Sequence, residues 1–222
     1  KHKLVEKTIG NTITLFACIS IVSTILLLIF VKPLVVLLNV PQEAMTGTVQ
    51  YLVICFIGIP FITAYNIISS IYRGLGDSKS PMYIIAIACL LNIVLDYLFI
   101  GLFHMGPVGA ALGTTLSQSV SVIIALISMR YRTSDIHIKK EDLHLQPQVF
   151  KQILKVGFPV AIQDGCIQIG FIIITIIANS RGLNDAAAVG IVEKMITAIF
   201  IIPSTMLATV SALSAQNIGA KD

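Results

Sequence analysis

Charge is scarce in this 222-residue chain: only 12% of the residues are Asp, Glu, Lys or Arg, against 56% that are apolar. That is about half the charged share of a typical globular protein, and it excludes a water-soluble domain, which needs charged surface on every element. Residues 8–31 and 195–220 carry no formal charge at all. Ligand patterns are missing too. Cys18, Cys55, Cys89 and Cys166 lie inside apolar runs with no CxxC or Cys/His spacing, which argues against a disulfide framework and a zinc site. No nucleophile elbow, HExxH, Walker loop or Gly-rich dinucleotide fingerprint is present, so an enzyme is not expected. The net charge of +4 lacks the basic groove with interleaved aromatics that nucleic acid requires.

What is present is a series of apolar runs, each near the roughly 20 residues that cross about 30 Å of hydrocarbon. Gly, Pro and charge punctuation predicts six transmembrane helices, over 9–31, 49–72, 82–103, 107–129, 153–179 and 186–213, and hence an all-α polytopic membrane protein. Lengths above 20 without alternating polarity argue against a β-barrel. If connections alternate sides, twelve of the fifteen Lys and Arg residues fall on one side, Lys32 and Arg181 on the other, and Lys194 within a helix. The positive-inside rule then places both ends of the chain in the cytoplasm. The polar stretch around His137 and His144 reads as a cytoplasmic connector between two bundles, since no third ligand stands near those histidines.

Four ionisable side chains, Asp96, Asp164, Glu193 and Lys194, fall inside predicted helices. Each costs about 2.5–3.5 kcal/mol to insert at the bilayer centre, so each needs a reason to be there. Asn92 precedes Asp96 by one helical turn and shares its face, an amide and a carboxylate suited to holding a cation or proton. Counted at 1.5 Å per residue, Asp96 lies about 22 Å from one surface and Thr114 about 10 Å from the other, which puts the two at one level. Gln118 and Ser121 continue the Thr114 stripe. Interhelical hydrogen-bond glue is the alternative role for this group. Gly109 and Gly113 form a GxxxG pair whose expected role is close helix packing. Gln163, Asp164 and Gln168 form a second polar group, either a pocket or the wall of a water-filled vestibule, and Glu193 and Lys194 allow an ion pair or a functional role.

The series Arg73-Gly74-Leu75-Gly76-Asp77-Ser78-Lys79-Ser80-Pro81, Asn92-Ile93-Val94-Leu95-Asp96 and Gly106-Pro107-Val108-Gly109-Ala110-Ala111-Leu112-Gly113-Thr114 resembles the multidrug and toxic compound extrusion (MATE) family. Gly58-Ile59-Pro60, Gly157-Phe158-Pro159, Pro203 and Ala215-Gln216-Asn217-Ile218-Gly219-Ala220 fit the same pattern. The resemblance implies helices three to eight of twelve. Residues 1–130 would be four helices of the amino-terminal lobe, 131–151 the cytoplasmic linker and 152–222 the first two helices of the carboxy-terminal lobe. Such a segment alone should transport nothing. The resemblance also implies a cation site at Asn92, Asp96 and Thr114, completed by an acidic residue on the first helix, with Na⁺ or H⁺ as coupling ion and no other cofactor. Gln118, Gln163, Asp164, Gln168 and Glu193 are the candidates for a substrate-binding or second polar pocket, although Asp164 stands about a turn before the glutamate some relatives use. The implied function is cation-coupled antiport of amphipathic or cationic compounds across the plasma (inner) membrane. Rival readings are a lipid-linked oligosaccharide flippase of the same wider superfamily, or a non-transporting channel or scaffold.

Overall fold

Backbone hydrogen bonds find no partners in hydrocarbon, so a spanning segment must satisfy them internally, and this chain does so entirely as helix among the described residues. The computed structural model describes residues 2–132 and 146–220. Its elements are α1 (His2–Ile29), α2 (Val31–Leu37), α3 (Gln42–Gly74), α4 (Lys79–Asp96), a π-helical turn (Tyr97–Leu102), α5 (Gly106–Arg132), α6 (Pro147–Arg181) and α7 (Leu183–Ala220). Among the described residues, six helical segments, with α4 and the π-turn counted together, are long and apolar enough to cross a membrane.

Most helices overrun their predicted ends, because polar residues just outside the bilayer still favour helix. α3 starts at Gln42 rather than 49, directly after Pro41. α6 starts with Pro147 in its first turn, where the missing N–H costs nothing, so residues 147–151 are helix rather than linker. Residues 131–132 of the expected linker likewise belong to the end of α5, and 133–145, with His137 and His144, lie outside the described residues. α6 and α7 are separated by Gly182 alone, whose φ of +112° is open to glycine and strained for other residues. α2 was not anticipated; seven residues are too few for a periodic signal.

The first five helices form one bundle. Its core gathers Tyr65, Ile68 and Tyr72 of α3, Ile84 of α4, and Val122 and Ala125 of α5. Two tyrosines anchor their polar ends there: Tyr65 Oη donates to the Pro81 carbonyl at 2.9 Å, and Tyr72 Oη to Ser128 Oγ at 3.0 Å. The turn between α3 and α4 is closed by Asp77. Its Oδ1 accepts the N–H groups of Lys79 and Ser80 at 3.1 and 3.0 Å, and its Oδ2 accepts the Ser80 hydroxyl at 2.6 Å. Arg73 folds back on Ser69 and Ser70, so this glycine-rich turn is a tight connection built from its own side chains.

The outside of the bundle is apolar, and several polar residues are buried inside it beside the apolar core. Ile29, Leu90, Ile93 and Tyr97 are exposed, whereas Asn11, Ser20, Ser69, Ser117 and Ser121 are buried. Hydrocarbon solvates the former as well as a protein core does, and the polar groups turn inward because only there do they find hydrogen bonds. The α6–α7 pair joins this bundle through amide side chains bonded to main chain. Asn11 Oδ1 accepts the Gln146 N–H at 2.6 Å, Asn179 Nδ2 donates to the Leu38 carbonyl at 2.7 Å, and Gln216 Nε2 donates to the Arg73 carbonyl at 3.4 Å.

Candidate functional site

Asn92 and Asp96 lie one turn apart on α4, and the structure turns both toward α5. Asn92 Nδ2 donates to Asp96 Oδ1 at 3.4 Å, a long bond that holds the amide beside the carboxylate. Both residues are half-buried. The space for the carboxylate comes from Gly113: a Cβ there would collide with Asp96 Oδ1, stand 3.3 Å from its Cγ and lie 3.5 Å from Asn92 Nδ2. The level predicted for Asp96 and Thr114 is therefore the observed one to within a residue.

The two glycines of the GxxxG pair have different roles. At Gly109 an added Cβ would meet the Cβ and backbone carbonyl carbon of Phe99 at 3.0 and 3.1 Å, which makes Gly109 a packing residue. Gly113 faces the far end of an acidic side chain and makes a notch for it. Thr114 donates its hydroxyl hydrogen to the Ala110 carbonyl at 3.0 Å. That bond leaves oxygen lone pairs free to face a cation. Gln118, one turn further on, is half-buried; Ser121 is buried and donates to the Gln118 carbonyl at 2.7 Å.

Directly after Asp96 the helix widens into the π-turn, with the Phe103 N–H reaching back five residues to the Leu98 carbonyl at 2.9 Å. Such a turn shifts the side-chain register of everything after it, and π-bulges recur at functional sites. Here it places Phe99 against Gly109 while Asp96 keeps its place over Gly113.

Tyr51 of α3 is the residue that sequence reasoning missed. It stands one turn before Cys55 and lies within electrostatic reach of Asp96. In the sequence it is one aromatic in an apolar helix, and nothing local relates it to Asp96. It also lines a cavity of about 280 Å³ with Glu43, Gly47, Thr48 and Pro107, at the end of the bundle where α3 and α5 begin.

The second group of candidates is dispersed. Gln163, Asp164 and Gln168 are exposed along the middle of α6, and the structure brings none of them to Asp96. Glu193 of α7 is half-buried and meets Thr175 of α6, whose Oγ1 lies 3.2 Å from Glu193 Oε1. Lys194 is exposed.

Among the described residues, an all-helical bundle with an apolar outer surface, membrane-length helices and a carboxylate held between two of them defines a multi-pass membrane protein. Residues 1–98 match the family model described as MatE. The probable multidrug resistance protein YpnP of Bacillus subtilis (strain 168) is 36% identical over 185 residues, covering 82% of this chain and 41% of that protein. YoeA of the same organism, also a probable multidrug resistance protein, is 25% identical over 224 residues, covering 98% and 48%. Among solved structures, an inward-facing multidrug resistance MATE family transporter of the MOP superfamily superposes with a TM-score of 0.75 at 23% identity, over 98% of this chain and 56% of that one. A MATE crystallised with MaL6 gives 0.69 at 26% identity, over 82% and 41%. The chain is thus similar to the MATE family, whose members named here are transporters rather than enzymes. It spans about half the length of the curated relatives it matches.

Proposed function

We propose that the full-length protein exports small amphipathic or cationic compounds across the plasma membrane by alternating access, driven by Na⁺ or H⁺ entering at Asp96. The observation that carries this reading is the Asp96 carboxylate itself, half-buried between α4 and α5, with Asn92 beside it and a glycine notch shaped for it. A carboxylate is costly to keep within a membrane unless its charge is used, and gaining and losing a cation there uses it. Thr114 supplies a further oxygen and Tyr51 a phenol at the approach from the α3–α5 opening. Binding at Asp96 favours one arrangement of the helices and substrate the other, so that each shifts the equilibrium against its competitor.

Gln118, Gln163, Asp164 and Gln168 are assigned to the walls of the substrate path. The last three are exposed polar residues at the middle of α6, as a path for amphipathic compounds requires. Residues 1–130 and 152–222 belong to separate lobes in this reading, with both ends of the chain cytoplasmic, as the distribution of Lys and Arg indicates. A flippase for anionic lipid-linked sugars would need a cationic cavity, which Lys194 alone does not make.

The test is dye efflux from vesicles containing the full-length protein, with pH and sodium gradients imposed separately. Efflux should follow at least one gradient. Efflux indifferent to both contradicts coupling.

A further inference from the structure

Three cavities follow one another along α3, and neighbouring ones share lining residues. The first, about 530 Å³, lies between the ends of α3 and α7 and is lined by Ser70, Arg73, Gly74, Ser211 and Gln216 among others. The second, about 300 Å³, shares Ser70 and Gly74 with the first and adds Thr8 and Thr12 of α1. The third, about 360 Å³, shares Ile67 and Ile71 with the second and is lined by Ala17, Ile21, Pro60 and Leu126 among others. Polarity falls in that order, from a guanidinium, hydroxyls and an amide, through two threonines among isoleucines, to an almost wholly hydrocarbon wall.

The length of this groove is that of one leaflet. Gly74 and Pro60 stand about 21 Å apart along α3, and Thr8 and Ile21 about 20 Å apart along α1. Half of a bilayer, counted with its headgroups, is about 20–22 Å thick. At the deep end α1 and α3 are drawn together, because Pro60 has no N–H for the Phe56 carbonyl and the Thr24 hydroxyl donates to that carbonyl instead, at 3.3 Å. Ile21 and Leu126 are exposed, so the apolar end opens at the surface of the bundle. An empty apolar void forfeits the dispersion contacts of the atoms that line it, so in a bilayer such a groove is filled.

The polar end has an anion's chemistry. The Arg73 guanidinium is held by bonds to Ser69 and Ser70, the latter at 3.1 Å, which use two of its five N–H groups and leave the others for an oxyanion. Beside it a Cβ on Gly74 would meet nothing within 4 Å, so there is room for a headgroup. Among the described lining residues of the three cavities none is acidic. Asp77, the carboxylate nearest Arg73 in the sequence, is engaged by the start of α4. Glu6 stands about 160° around α1 from Thr8.

We propose that this groove is a binding site for one anionic phospholipid of the cytoplasmic leaflet. Its phosphate sits on Arg73 with the hydroxyls of Ser70 and Ser211 in reach, and an acyl chain passes Thr8 and Thr12 into the apolar chamber. A cationic compound of the exported kind is disfavoured there, since it meets a guanidinium and no carboxylate to pair with. Because α3 and α7 both line the headgroup chamber, the lipid bridges the two halves of the chain. The proposal takes from the reading above only that the Arg73 end is cytoplasmic.

The experiment is native mass spectrometry of the full-length protein, titrated with dioleoyl phosphatidylglycerol or with dioleoyl phosphatidylcholine, which share acyl chains and differ in charge. The wild type should bind one phosphatidylglycerol in preference. Arg73→Gln should weaken that binding by about fivefold, the effect of one cation at the membrane surface, and leave phosphatidylcholine unchanged, while Arg73→Lys keeps most of the preference. Ala17→Phe should fill the apolar chamber and lower the binding of both lipids alike. Equal binding of the two lipids by the wild type overturns the inference, and a groove covered by other helices of the full-length protein gives that same result. Wild-type binding in Arg73→Gln or in Ala17→Phe overturns it as well. So does displacement of the lipid by inorganic phosphate alone, which marks an ion site, or by a cationic dye, which marks part of the export path. If Arg73→Gln fails to insert, Ala17→Phe decides. The cytoplasmic position of Arg73 is judged separately, by cysteine labelling near Lys79, and coupling by gradient-driven efflux in Asp96→Asn.

Discussion

At the scale of single residues, the site depends as much on a missing side chain as on those present. Gly113 leaves the space that the Asp96 carboxylate fills. Gly113→Ala should therefore displace the flexible end of Asp96 and abolish coupled efflux, with a melting temperature close to wild type. Gly109→Ala should do the opposite, since its new Cβ meets the Cβ and backbone of Phe99, which cannot swing aside. A loss of stability of about 1–3 kcal/mol is expected there, seen as a lower melting temperature in detergent with transport kept in the inserted fraction. The sequence marks the two glycines alike, as a packing motif, and only the contacts across the α4–α5 interface tell them apart. Tyr51 was illegible for the same reason: nothing local distinguishes an aromatic within electrostatic reach of a carboxylate from one that fills a core.

At the scale of elements, the six long helices and their order were readable because an apolar run of membrane length has few other uses. Their ends were less so, because polar residues such as those of 42–48 continue a helix after the hydropathy signal stops. The π-turn was not readable: a register slip needs no unusual residue, and Tyr97–Leu102 has an ordinary apolar composition. The turn before α4 gives the clearest test at this scale. Asp77 accepts three hydrogen bonds at that helix start, so Asp77→Ala should cost about 1–2 kcal/mol of stability. Transport should persist near wild-type rate below the new melting temperature. An unchanged melting temperature would show that the cap contributes nothing in the membrane.

At the scale of the whole molecule, the six membrane-length helices among the described residues and the distribution of twelve cations against two support the proposal that both ends lie on one side. Single cysteines placed near Lys79 should be labelled from the cytoplasm, and those near Glu43 and Asn184 from outside. The same prediction holds for the cytoplasmic side at Lys140, which lies outside the described residues. Labelling of Glu43 and Lys79 positions from one side would remove a crossing and with it the proposed direction of entry to Asp96. The assembly of the α6–α7 pair on the first bundle, through Asn11, Asn179 and Gln216, joins residues more than a hundred positions apart, beyond the reach of any periodic pattern. The central claim is that Asp96 carries the coupling charge, against the alternative that it only ties helices together. Drug efflux and melting temperature, measured on one preparation of full-length Asp96→Asn, decide between them. The account predicts gradient-driven efflux lost while insertion and melting temperature are kept or improved, since an amide is cheaper to bury than a carboxylate. Efflux retained at the wild-type gradient dependence, with lowered stability, would contradict it.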